Sequence, residues 1–152
     1  MAINGDVFRS ILAMDSYNRG YDAGINLSGS SLGDAVLAKD STQEFGLPNT
    51  QAASFSAQSY SWNGKTVISY RGTNSPGMLQ NVLNGWPTGL GGADTPQAML
   101  ALKFYNAVDA ATNTNIELTG HSLGGGLADY VGSGQILRCA FAKRPSDCSP
   151  AL

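Results

Sequence analysis

The chain is short of the residues that build metal centres and disulfide frameworks: its 152 residues include one histidine, His121, and two cysteines, Cys139 and Cys148. A single imidazole argues against a His-based metal site, and no cofactor is expected. Both cysteines lie near the C-terminal end without metal-site spacing, so everything before Cys139 lacks a disulfide framework. They read either as incidental thiols or as a disulfide within the tail, since neither has a recognisable base or helix N-terminus beside it. Charge is scarce as well. Only 13% of residues are charged, nine basic against eleven acidic, for a net charge of -2, and no Lys/Arg cluster interleaves with aromatics, which excludes nucleic acid as the expected partner. No apolar run approaches the length that spans a bilayer. Met1 to Asp6 has neither the basic segment nor the apolar stretch of a secretory signal, so export by that route is not expected and the cytoplasm is the default location. With 42% apolar residues, a chain of this length is expected to form one soluble domain.

Glycine, by contrast, is abundant at 19 residues, which points to tight turns and to backbone that approaches its neighbours closely. No internal repeat is visible. Val7, Ile11, Leu12 and Met14 fit a helical stripe over roughly Asp6 to Asn18, with Asn4 or Asp6 as cap and Gly20 as stop. Tyr21 to Gly33 reads as loop. Ala53 to Trp62 and Lys65 to Tyr70 flank Asn63-Gly64, a strong hairpin signal because both turn positions need positive φ.

Within the loop-like stretch Asn74 to Gly92, Leu79, Val82, Leu83 and Trp86 recur at helical spacing, either as a helix packed on the core or as a flap over a site. Asp94 or Thr95 caps the next helix, with Pro96 in its first turn, an apolar stripe of Ala98, Ala101, Leu102, Tyr105 and Val108, and an end near Thr112. Asn115 to Thr119 reads as a short buried strand, Gly120 breaks it, and Leu123 to Val131 resumes helical spacing. Ser133 to Leu152 holds both cysteines, three of the nine basic residues and two of the six prolines, with no sustained period.

Gly120-His121-Ser122-Leu123-Gly124 matches G-x-S-x-G at a strand–turn–helix junction. The glycines let neighbouring backbone come close, and the serine oxygen stands out at a helix N-terminus. Upstream, Val67-Ile68-Ser69-Tyr70-Arg71-Gly72-Thr73 is an apolar strand ending in R-G-T, and a strand end beside such an elbow is where an oxyanion donor is required.

On these two motifs the chain resembles the class 3 triacylglycerol lipase family, in which an apolar strand ending in R-G-[ST] precedes G-H-S-L-G-G. The resemblance covers roughly Val67 to Val131. It implies an α/β-hydrolase-like three-layer sandwich, a carboxylic-ester hydrolase acting on lipid or small-molecule esters, Ser122 as nucleophile, and backbone amides of Thr73 and Leu123 as the oxyanion hole. It also implies that His121 packs beside the elbow, which disfavours it as the base. For Arg71 the choice lies between a structural ion pair near the elbow, the preferred reading, and a substrate contact.

The departure from the family concerns the acid and the base. Family triads run Ser, Asp, His, yet no histidine follows Ser122. Asp129 lies roughly 10 Å along the elbow helix, and Asp147 falls in the tail. Residues 1–132 therefore read as a hydrolase-like domain truncated after the elbow helix. Residues 133–152 read as an irregular tail of atypical composition, either an ordinary surface tail or sequence foreign to the domain. Two functions remain, an esterase or lipase acting through Ser122, and a catalytically impaired hydrolase that folds without efficient turnover. An uncovered strand edge, low charge and the apolar segment Leu79 to Trp86 make a homo-oligomer the expected state.

Overall fold

The computed structural model describes residues 4–24, 29, 31–72 and 95–141. Their elements, in chain order, are α1 (Gly5–Asp15), a single 3-10 turn (Ser16–Asn18), β1 (Ser31–Leu32), β2 (Ala35–Asp40), α2 (Ser41–Phe45), α3 (Leu47–Ala52), β3 (Ala57–Trp62), β4 (Lys65–Tyr70), α4 (Pro96–Asp109), β5 (Ile116–Gly120) and α5 (Leu123–Phe141). The strands form one five-stranded sheet in the order β1-β2-β3-β4-β5. Strands β1 to β4 run antiparallel, and β5 adds to β4 in parallel after the crossover that carries α4.

Local chemistry accounts for the best-defined pieces. The β3–β4 hairpin turns at Asn63 and Gly64, with φ of 49° and 73°, the left-handed pair that a two-residue turn needs. Its register runs from Ala57 opposite Tyr70 to Trp62 opposite Lys65. Helix α1 is capped by Asn4, whose Oδ1 accepts from the Asp6 amide at 2.8 Å. Thr95 caps α4 by accepting from the Ala98 amide at 3.1 Å, with Pro96 behind it.

Alternation along β4 sends side chains to two cores. Ile68 and Tyr70 join Phe55, Ala57, Ala101, Phe104, Val108, Leu127 and Val131 on the face covered by α4 and α5. Val67 joins Phe8, Leu12, Ala35 and Tyr60 on the face covered by α1. Ser69 also faces α1, and its hydroxyl donates to the Leu12 carbonyl at 3.0 Å. The fold is thus mixed α/β, with helices on both faces of the sheet.

Two polar ties fix α1. Glu117 on β5 accepts from Arg9 at 2.6 Å and from Lys65, joining α1, β4 and β5. At the other end Asp15 and Arg19 pair in the interior, and the Tyr60 hydroxyl donates to the same Asp15 oxygen at 2.7 Å. Desolvation is the main cause that pushes the Tyr60 phenol pKa upward, so this tyrosine remains a proton donor.

Several expectations need correction. On α1 the buried face is Phe8, Leu12, Ala13 and Asp15, while Val7, Ile11 and Met14 are exposed at 53%, 39% and 51%. Hydropathy misplaces the stripe because the inward face ends in polar groups satisfied by Arg19, Tyr60 and, for Ser16, the Ala13 carbonyl. Helix α4 stops at Asp109, short of Thr112, and buries Phe104, whereas Leu102 and Tyr105 are only half-buried. Strand β3 begins at Ala57, four residues after Ala53. Strand β5 is half-buried throughout, because among the described residues it pairs on one side alone. Helix α5 continues past residue 132 to Phe141, so the start of the supposed irregular tail is helical. The segment Asn74 to Gly92 with its Leu79 to Trp86 stripe, and Asp147 and Cys148, lie outside the described residues.

Candidate active site

Strand β5 ends at Gly120 and α5 begins at Leu123, leaving His121 and Ser122 as the whole connection. Both side chains are exposed, whereas Leu123 and Gly124 are buried. Ser122 has φ of 56°, a left-handed conformation that costs an L-residue about 1–2 kcal/mol. The turn is held by the Gly124 amide on the His121 carbonyl at 2.9 Å and the Gly125 amide on the Ser122 carbonyl at 3.0 Å. As the first helical residue, Leu123 has an amide with no intrahelical acceptor, beside the positive end of the helix dipole.

The glycines of the motif are dictated by contact. A Cβ on Gly124 would lie 2.0 Å from the Tyr70 carbonyl oxygen, and one on Gly120 would lie 2.3 Å from Gly124 backbone. Helix α5 therefore rests directly on the end of β4, which sets Ser122 at the rim of the sheet beside Gly72. A Cβ on Gly72 would meet the Tyr17 hydroxyl at 2.4 Å, the His121 carbonyl at 2.6 Å and the Ser122 Cβ at 3.3 Å. These groups crowd around one point.

Arg71 is buried, with its amide donating to the Ser56 carbonyl at 2.9 Å. Its Nη1 donates to the carbonyls of Tyr21 and Arg19 at 2.7 and 3.4 Å, and its guanidinium lies over the Tyr21 ring, 4.6 Å from the centroid. The expected structural role is met by different chemistry. Among the described residues no carboxylate pairs with Arg71, and carbonyl oxygens and an aromatic face hold it instead.

His121 faces Tyr17: its Nδ1 lies 3.1 Å from the Tyr17 hydroxyl, and the rings meet edge-on at 5.8 Å. Burial raises the Tyr17 pKa, opposed by the neighbouring Gly72 backbone and by the charge of Arg71. Tyr17 was not singled out from sequence; it stands 104 positions from His121 with no local signal linking them. Asp129 sits on the exposed side of α5. Thr73, the other expected oxyanion residue, lies outside the described residues, which stop at Gly72 on that side. Among the described residues no three His, Cys, Asp or Glu side chains gather to hold a metal, and no helix is long and apolar enough to cross a membrane.

The family profile of the Tle-like phospholipase domain, a phospholipase-like family, matches residues 9–134, a span that contains the R-G-T strand, the serine turn and all five described strands. Nothing matches among curated proteins or among solved structures.

Proposed function

The chain belongs to the Tle-like phospholipase family, whose chemistry is lipid-ester hydrolysis, and we propose that Ser122 is the nucleophile through which it acts. The family is phospholipase-like at this level, and the narrower likeness to class 3 lipases, with an α/β-hydrolase-like three-layer sandwich, belongs to the same proposal. The carrying observation is Ser122 itself, exposed and left-handed in a two-residue turn between a strand and a helix N-terminus. A strained turn of this kind stands the hydroxyl clear of the backbone, where an acyl carbon has access to it.

In the proposed reaction the Ser122 oxygen attacks the acyl carbonyl carbon, and the negative charge gathering on the carbonyl oxygen is met by the backbone amides of Leu123 and Thr73. The carbon–oxygen bond to the alcohol breaks, and that alcohol leaves with the proton lost by the serine. Water then cleaves the acyl-serine ester, releasing the fatty acid and restoring Ser122. No cofactor takes part.

A specific observation favours slow turnover by this chain alone. Proton removal from Ser122 needs a base, and the chain's single imidazole has its Nδ1 engaged by Tyr17. An oxyanion hole and binding without a base still accelerate acyl transfer by roughly 10³–10⁴ over water. The test is fatty-acid release from a short-chain phospholipid dispersion, with a short-chain nitrophenyl ester alongside. Slow release that disappears in Ser122→Ala is expected, and undiminished release in that variant would move the site elsewhere.

A further inference from the structure

The end of β4 carries the serine turn on its main chain. A Cβ on Gly124 would lie 2.0 Å from the Tyr70 carbonyl oxygen and 3.0 Å from the Arg71 carbonyl carbon, so a displacement of Arg71 passes to the start of α5 and to Ser122 just before it. Arg71 is itself held by other segments. Its amide donates to the Ser56 carbonyl at 2.9 Å, and its Nη1 donates to the carbonyls of Tyr21 at 2.7 Å and Arg19 at 3.4 Å. Its guanidinium lies over the Tyr21 ring, 4.6 Å from the centroid. The ring in turn is anchored at its far end, where the Tyr21 hydroxyl shares its proton between the carbonyls of Phe55 at 3.0 Å and Thr50 at 3.2 Å. Thr50 is buried in α3, and Phe55 belongs to the core covered by α4 and α5. A planar guanidinium lies on an aromatic face while its edge N–H groups reach carbonyls, a combination that a lysine ammonium does not reproduce.

We propose that Tyr21 and Arg71 are positioning residues for the serine turn: Tyr21, anchored on α3 and Phe55, holds the Arg71 guanidinium, and the Arg71 main chain sets the seat of α5 and with it the place of Ser122. The proposal rests on the reading of Ser122 as nucleophile only for what the seat aligns. Neither side chain makes or breaks a bond in it. Gly72 carries the same alignment one residue further, since a Cβ there would lie 2.6 Å from the His121 carbonyl oxygen and 3.3 Å from the Ser122 Cβ. An arginine that only stabilised the fold would, once replaced, lower the folded fraction and leave the reactivity of the folded chain unchanged.

The test follows phosphonylation of the folded chain by a fluorophosphonate, in which the serine oxygen bonds to phosphorus and fluoride leaves. Tyr21→Leu removes the ring, and Arg71→Lys keeps the charge but loses the planar fork. In each variant the limiting rate is expected to fall by at least about tenfold, within the roughly 10²-fold that an ångström of misplacement costs, while the half-saturating probe concentration stays in place. The double variant is expected to match the slower single one within about twofold, because ring and guanidinium act through one contact. A smaller fall in the folded variants, an effect carried by the half-saturating concentration, or losses that multiply in the double variant would overturn the proposal. If Arg71→Lys fails to fold, Tyr21→Leu carries the test through its rate and through a second reading. The amide protons of Gly124 and Gly125, whose bonds to the His121 and Ser122 carbonyls close the turn, are expected to move in the ¹⁵N-correlated spectrum of Tyr21→Leu. Resonances left in place in that folded variant would overturn the proposal too. A wild-type chain that takes up no probe would remove Ser122 as nucleophile, and the two amides would still decide whether Tyr21 and Arg71 set the turn.

Discussion

Alanine at Gly124 would bring two opposing forces onto the same carbon. Inside a helix, exchanging glycine for alanine favours folding by about 1 kcal/mol through backbone entropy. Here the new Cβ would lie 2.0 Å from the Tyr70 oxygen, 2.7 Å from its carbonyl carbon and 3.0 Å from the Arg71 carbonyl carbon. All three are main-chain atoms of β4 or its end, so no side chain can swing aside. Relief requires lifting the start of α5 off the sheet, which also loosens Leu127 and Val131 from the core they share with Ile68 and Tyr70. Overpacking of this kind costs about 1–3 kcal/mol, with more when backbone must move. The clash outweighs the propensity gain, and a net loss of about 2 kcal/mol is expected, or a Tm roughly 4–8 °C lower for a chain of this size.

The control is the same substitution further along the helix. A Cβ on Gly134 meets nothing within 4 Å, so Gly134→Ala should raise stability by up to about 1 kcal/mol. Urea unfolding of both variants followed by circular dichroism decides the matter. If Gly124→Ala is as stable as the wild type, or gains as Gly134→Ala does, the helix is not seated on β4 as described.

Acid should weaken the tie between α1 and the sheet. The hydrogen bond from Arg9, more than that from Lys65, holds the Glu117 carboxyl below its usual pKa of 4.5 in the folded state, against the opposing effect of burial. The stability it contributes is therefore present above that value and is lost as pH falls through the lower folded pKa. Glu117→Gln should cost about 1 kcal/mol or less at pH 7 and flatten the fall in urea midpoint between about pH 5 and pH 3; an unchanged acid limb would contradict this. A second expectation concerns assembly. The side of β5 that is unpaired among the described residues, together with exposed Val7, Ile11 and Met14 on α1, should drive self-association, read as a light-scattering mass above the monomer's at micromolar concentration that falls on dilution. A monomeric mass throughout would contradict it, and polar replacement of the three α1 residues should shift the equilibrium toward monomer.

The parts of this fold that were legible in the sequence are those whose chemistry is local. Asn63-Gly64 announces its turn because few other pairs tolerate two left-handed residues, and Thr95-Pro96 announces a helix start by capping. The serine turn was legible in part for the same reason, since Gly120 is demanded by backbone contact with Gly124 and Gly125 a few residues on, whereas the demand on Gly124 comes from Tyr70 across the fold. Long-range packing was not legible. Nothing in the local sequence says that Asp15 faces inward, because the Tyr60 hydroxyl that meets it beside Arg19 is 45 positions away and arrives only in the folded chain. The same holds for β2, α2 and α3, where Lys39, Asp40 and Glu44 dilute any apolar period and residues 34–52 went unassigned. Tyr17 is the clearest case, a tyrosine just past a helix whose meaning depends on a hydrogen bond to the other end of the chain.

The reading of Ser122 as a nucleophile is tested most directly by covalent capture. A fluorophosphonate probe forms a stable bond with an activated serine oxygen at an oxyanion hole and leaves ordinary hydroxyls largely untouched. The wild-type chain, incubated with the probe, digested and sequenced by tandem mass spectrometry, is expected to carry one adduct, on Ser122, and Ser122→Ala is expected to carry none. An adduct on a different residue, or no adduct on a folded wild-type chain after prolonged incubation, would contradict that assignment.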